Sequence, residues 1–131
     1  MGKNKFIADY QVNTSKKVLF PYLSTASGLA SWFADEVKLN PDKTFIFTYD
    51  KEEHHARIVA MRQLAHVKFE FFHPEGGEVS DSANIEFKLE ENELTQTLFL
   101  KIVDQNEHYS DEELRSIWEG LVGNLKEILG A

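Results

Sequence analysis

Residues 110–129 read SDEELRSIWEGLVGNLKEIL, and this stretch decides the fold. Ser110 followed three residues later by Glu113 has the form of a capping box, in which the hydroxyl and the carboxylate each satisfy a backbone N–H of the first turn. Asp111 and Glu112 place negative charge at the positive end of the helix dipole. Leu114, Ile117, Trp118, Leu121, Leu125, Ile128 and Leu129 recur as one stripe, with Arg115, Glu119, Lys126 and Glu127 outside it. At 1.5 Å per residue the predicted helix is about 30 Å long. Gly120 and Gly123 fall opposite the stripe, where each costs about 1 kcal/mol relative to alanine. They either let the helix bend or be approached by a second chain, or are tolerated because its apolar face anchors it.

A long helix with one apolar stripe needs an apolar surface to lie on, and the preceding sequence supplies a sheet. From Glu36 to Val103 the pattern has period two, interrupted by turn formers at Asn40-Pro41-Asp42, Asp50-Lys51-Glu52, His73-Pro74-Glu75-Gly76-Gly77 and Glu90-Glu91-Asn92. Phe45, Phe47 and Tyr49 share one strand face, and Val67, Phe69 and Phe71 another. Ile85, Phe87 and Leu89 alternate with Glu86, Lys88 and Glu90, as in a sheet with one wet face. Leu94, Leu98, Leu100 and Ile102 predict a last and longest strand. The short connections predict antiparallel pairing, since parallel neighbours need crossovers of a dozen or more residues. Upstream, Lys5 to Val12 alternates as a first strand. Asn13, Thr14 and Ser15 then offer caps for a helix carrying Val18, Leu19, Tyr22 and Leu23, which Pro21 should bend or end. A second short helix is expected from Ala26 to Phe33.

Composition bounds the rest. With 131 residues the chain fits one domain, 1–131, without repeat or linker. Fourteen Lys plus Arg against 22 Asp plus Glu give a net charge of −8, so a phosphate-neutralising surface is missing and nucleic acid is not an expected partner. Ten Phe, four Tyr and two Trp make the core unusually aromatic. Without cysteine there is no disulfide, thiolate metal site or cysteine nucleophile. No apolar run is long enough to span a bilayer, and the first residues lack a signal-like apolar stretch. A soluble cytoplasmic protein is expected.

Two segments carry a family resemblance. Ser15-Lys16-Lys17-Val18-Leu19-Phe20-Pro21-Tyr22-Leu23-Ser24, followed by Gly28-Leu29-Ala30-Ser31-Trp32-Phe33, resembles the opening helices of the START-like superfamily, also called SRPBCC. Trp118-Glu119-Gly120-Leu121-Val122-Gly123-Asn124-Leu125-Lys126 is similar to the closing helix of the branch named after the activator of the heat-shock chaperone ATPase. The resemblance covers nearly the whole chain. It implies an α+β helix-grip fold, with a curved antiparallel sheet wrapped on the long C-terminal helix and two short helices after the first strand. It also implies a cavity between sheet and helix for an apolar or amphipathic ligand. Phe45, Phe47, Tyr49, Phe69, Phe71, Phe87 and Trp118 either line that cavity or fill it.

Residues bearing recognisable chemistry are sparse. His54 and His55 are adjacent and point to opposite faces of a strand, so they cannot share a metal there; an exposed turn position is the simpler reading of His54, an inward anchor the alternative. His66, His73 and His108 have no partner at metal-ligand spacing. There is no Gly-x-Ser-x-Gly elbow, and Gly76-Gly77 reads as a hairpin turn. No catalytic residue, metal or cofactor is expected. Gln96 shares the parity of Leu94, Leu98 and Leu100, and Arg57 faces either way, so each is a candidate for the polar end of a ligand. The expected binding set is Trp32, Phe47, Arg57, Phe69, Phe71, Phe87, Gln96, Leu98 and Trp118, for a small apolar or amphipathic molecule bound by a monomer or homodimer. The alternatives are a co-chaperone-like module that meets a protein partner through its outer surface, and a cavity enzyme such as a cyclase or hydrolase.

Overall fold

In the computed structural model, which describes residues 4–73, 83–106 and 109–131, the capping box forms as the sequence predicts. Ser110 Oγ accepts from the Glu113 N–H at 3.2 Å, and Glu113 Oε1 accepts from the Ser110 N–H at 2.9 Å. The helix they open, α3, runs Asp111–Leu129 without a break at Gly120 or Gly123 and closes on Gly130 in the left-handed conformation. Its buried stripe is Leu114, Trp118, Val122 and Leu125. This corrects the sequence stripe: Ile117 and Ile128 are 42% and 45% exposed, and Val122 replaces them. The side chains one turn apart from Leu114 through Trp118 to Val122 define the contact line, and Ile117 stands 100° away from Trp118.

The other elements are β1 Asn4–Val12, α1 Lys16–Ser24, α2 Ala26–Ala30, β2 Glu36–Leu39, β3 Phe45–Tyr49, β4 Glu52–Arg62, β5 His66–Phe72, β6 Asn84–Glu91 and β7 Leu98–Asn106. Among the described residues the strands form one antiparallel sheet in the order β1-β7-β6-β5-β4-β3-β2. The register puts Phe6, Asp104, Ile85, Phe69 and Ile58 in one row on the face that meets α3. A bulge between Ile58 and Ala60 breaks the ladder and helps bend the sheet around the helix. Asp50 and Lys51, both at positive φ, make the two-residue turn that joins β3 to β4.

Several expectations shift. Pro21 stands inside α1, which ends one turn later, and α2 stops at Ala30 before a turn through Phe33. The longest strand is β4 with 11 residues, against 9 in β7. β7 also begins at Leu98 and not at Leu94. Asn92 Oδ1 accepts from the N–H groups of Leu94 and Thr95 at 2.9 and 3.3 Å, so its side chain builds a turn in place of a ladder. Leu94 is therefore 95% exposed, and Gln96 sits in the turn at a φ of 60°. The predicted turn at residues 74–77 and His108 lie outside the described residues.

Candidate functional site at the mouth of the helix grip

The space between the sheet and α3 is occupied by interlocked rings. Phe33 stacks on Trp118 at 5.8 Å and meets Phe47 edge-on at 5.1 Å. Phe87 packs edge-on against Trp118 at 5.8 Å, and Trp32 lies 5.7 Å from Phe87. Phe69 closes the set against Phe47 at 5.6 Å. Trp32, Phe33, Phe47, Phe69, Phe87 and Trp118 are all no more than 8% exposed. Edge-to-face and offset pairs at these separations add about 0.5 to 1.5 kcal/mol each beyond area burial. Of the sequence-predicted binding residues, Phe47, Phe69, Phe87 and Trp118 thus build the core, Phe71 packs half-buried against it and Leu98 lies within it.

The two polar candidates lie elsewhere. Arg57 alternates with buried Ala56, so it faces outward from β4, exposed, with its guanidinium 4.3 Å over the Phe72 ring. Gln96 belongs to the exposed turn already described. Neither reaches the interior. Among the described residues of β7 the inward polar groups are Asp104 and Asn106, which continue the inward parity of Leu98, Leu100 and Ile102. Trp118 Nε1 donates to Asp104 Oδ2 at 2.9 Å, and Asn106 Nδ2 donates to Asp104 Oδ1 at 3.0 Å. Both carboxylate oxygens are used, which is how a buried acid is satisfied and how α3 is pinned to β7.

Burial raises the Asp104 carboxyl above the ordinary aspartate value, and the two hydrogen bonds oppose this without cancelling it. Because the folded value is raised, the associated stability is fully present below the unfolded pKa of about 4 and is lost as pH rises through the folded value. The stability of the native chain minus that of Asp104→Asn, from urea unfolding between about pH 3.5 and 7, is therefore expected to decline as pH rises. A difference independent of pH would show that Asp104 titrates like an exposed aspartate.

His54 is not an exposed turn residue. It lies in β4 opposite Phe47, half-buried, with its ring stacked on Tyr49 at 4.1 Å. Burial lowers its pKa, partly offset by Glu52 and Asp50. The Tyr49 phenol is pushed up, first by burial and then by Tyr109 and the nearby acids. His55 faces the other way, 6.0 Å from Phe72. Among the described residues no group of three or more His, Asp or Glu side chains could hold a metal ion.

An open cleft of about 590 Å³ lies where the aromatic core reaches the surface. Trp32 to Asp35 form one wall, Tyr49 and Asp50 a second, and Leu121, Asn124, Glu127 and Ile128 of α3 a third. Local chemistry fixes each wall. Trp32 Nε1 donates to the Tyr22 carbonyl at 2.8 Å, the Asp35 N–H to the Thr48 carbonyl at 2.8 Å, and Asp50, in the positive-φ turn, lines the opening. Only Trp32 of the predicted binding set lines this cleft. The other residues come from three separate segments and follow no common spacing, so no sequence pattern marks them. Asp104 did carry a signal, an acid at an inward position of β7.

A profile of the START-like superfamily domain matches residues 1–131. The solution structure of BfR322 from Bacteroides fragilis is similar at 34% identity, over 98% of this chain and 93% of that one, with a TM-score of 0.62. The Aha1 dimer from Colwellia psychrerythraea shares 17% identity over 95% and 94% of the two chains, with a TM-score of 0.74. Protein BH1534 from Bacillus halodurans shares 18% over 98% and 99%, with a TM-score of 0.72. At these lower identities the last two speak to the fold alone. Comparison with curated proteins finds no match. With the helix grip in place from β1 to α3 and the whole chain matched, the chain belongs to the START-like superfamily.

Proposed function

We propose that this domain is a binding protein for a small amphipathic molecule, held at the mouth cleft and not within the sheet–helix interface. The observation that carries this reading is the pairing of a filled aromatic interior with an open cleft of about 590 Å³ at its edge. That volume falls in the range of small-molecule sites, roughly 300 to 1,000 Å³. Ala30, Trp32, Phe33, Leu121 and Ile128 give the cleft apolar surface, and Asn124 offers an amide to a polar group. Burial of the apolar body drives binding, and polar contacts orient it. The interior acid does not add a catalytic group to the cleft, because Trp118 and Asn106 occupy both Asp104 oxygens.

Amide chemical-shift mapping with 1-octanol tests the proposal. About five buried methylenes supply roughly 4 kcal/mol, which corresponds to a Kd on the order of 1 mM. Shifts are expected on Ala30 to Asp35 and on Leu121 to Ile128. Ile128 is 45% exposed, so Ile128→Asp should leave the melting temperature nearly unchanged and weaken binding by roughly fivefold or more. Shifts scattered over the surface, or binding untouched by this substitution, would overturn the cleft as the site.

A further inference from the structure

We infer that the free edge of β1 is a self-association surface, on which a second copy of this chain adds its own β1 antiparallel about a two-fold axis at Ile7. β1 ends the sheet. Among the described residues it pairs with β7 alone, in unbroken register from Asn4 opposite Asn106 to Val12 opposite Leu98. Its other side presents backbone N–H and C=O groups that can template one more strand. The opposite edge of the sheet is built differently: β2 has 4 residues against 9 in β1, and Pro41 follows it closely. Such shortening keeps an edge from pairing. β1 has neither Pro, Gly nor bulge to blunt it.

The side chains choose both the occupant and the register. Phe6, Ala8, Tyr10 and Val12 face inward, while Lys5, Ile7 and Asp9 stand exposed on the outer face. A continued sheet keeps the inner faces together, so only residues of the same parity can stand opposite one another. Placing Ile7 opposite Ile7 of the second copy sets Lys5 opposite Asp9 twice and Phe6 opposite Ala8 twice. Ile7 is 49% exposed, and neither Lys5 nor Asp9 is held in an ion pair with another described residue. Neighbouring registers fit worse. An axis at Phe6 faces Ile7 with Lys5, one at Ala8 faces Ile7 with Asp9, and one at Asp9 sets that carboxylate against its own copy. Only the axis at Ile7 joins unlike charges and covers the exposed isoleucine with an apolar side chain, which Val103 of β7 extends on each copy. A strand complementary to itself in this way has the isologous arrangement of a two-fold dimer.

Sedimentation velocity checks this at about 0.15 M salt, where repulsion between two chains of net charge −8 is screened beyond roughly 8 Å. A contact from Asn4 to Tyr10 is smaller than the roughly 20 to 30 residues a side of a standard interface, so a concentration-dependent dimer with a Kd on the order of 0.1 mM is expected. Lys5→Glu and Asp9→Lys each turn two attractive pairs into two repulsive ones and should weaken self-association by about tenfold or more. Mixed in equal amounts, the two variants are complementary at both positions, and the mixture should dimerise as the native chain does. Loss of fold cannot produce that recovery. Asp9 also faces Lys101 across β7, so each variant is checked by circular dichroism, and Ile7→Lys tests the contact independently. At this exposed edge position it should keep the native spectrum and leave the chain monomeric, because two lysines would meet on the axis. A native chain that stays monomeric up to about 1 mM, a dimer indifferent to Ile7→Lys, or a mixture of folded single variants no more associated than either alone overturns the inference.

Discussion

Trp118→Ala is expected to lower the stability of the domain by about 4 kcal/mol, near the upper part of the range for large aromatic truncations. Trp118 is 1% exposed and touches the three ring systems that fill the grip: Phe33 by stacking, Phe87 by an edge contact and Trp32 at 6.4 Å. Removing the indole opens space that Phe33 and Phe87 cannot close without leaving Phe47 and Phe69. It also strips Asp104 Oδ2 of its donor at 7% exposure. Thermal unfolding should show a drop on the order of 10 to 20 °C; a loss below about 1 kcal/mol would mean the rings do not interlock as described.

Trp118→Phe separates packing from polarity in the same position. The phenyl ring retains most of the apolar contact, but the N–H is gone, and an unsatisfied buried acceptor costs about 1 to 3 kcal/mol. Loss of that donor removes a contact that lowers the Asp104 carboxyl, so the folded pKa rises further. The cost of Trp118→Phe should therefore be small below about pH 4 and grow as pH rises through the folded value. In an Asp104→Asn background this pH dependence should vanish. Such a double-mutant cycle reports the coupling of the two side chains directly.

The contrast between what the sequence disclosed and what it hid has a physical basis. α3 was readable from its cap to its end because a capping box, a charged first turn and a helical apolar period all favour one conformation. Even so, Ile117 and Ile128 fall at the edges of the stripe and are exposed, because periodicity locates a face within about one residue and neighbours decide its edges. The sheet was readable from alternation until a side chain competed with the backbone: Asn92 takes the N–H groups that a strand from Leu94 would need, and Gln96 falls out with it. Asp104 was visible as a parity violation in β7, yet its partner is 14 positions away, on another element. The cleft was not legible at all, since Asp35, Asp50 and Glu127 are brought together only by the tertiary fold. Arg57 is the opposite case: its chemical character is plain in the sequence, but which way it faces is set by the register of β4, which turns it outward.

The second large effect is expected at Gly28, where alanine should destabilise the domain by about 3 kcal/mol, the cost of overpacking a site that cannot relax. A Cβ on Gly28 would collide with the Pro21 carbonyl oxygen and come within 2.7 Å of the Tyr22 Cα and 2.9 Å of the Pro21 carbonyl carbon. These are backbone atoms, so no rotamer change relieves the contact. The Pro21 oxygen is also fixed by the Thr25 N–H at 3.1 Å and the Thr25 hydroxyl at 2.8 Å, which hold the corner between α1 and α2. Moving α2 away would drag on Trp32, whose indole is tied to the Tyr22 carbonyl and whose ring serves both core and cleft. Gly28→Ala should thus weaken 1-octanol binding as well as stability. Helix propensity alone predicts the reverse sign, a gain of up to about 1 kcal/mol. Gly120 and Gly123 supply the control: a Cβ at either meets nothing within 4 Å, so Gly120→Ala and Gly123→Ala should each raise stability by roughly 1 kcal/mol. Urea midpoints moving in opposite directions for Gly28→Ala and the two α3 substitutions would establish that steric contact with α1, and not backbone propensity, selects glycine at residue 28. A stabilised Gly28→Ala variant would show that α1 and α2 do not meet at backbone distance.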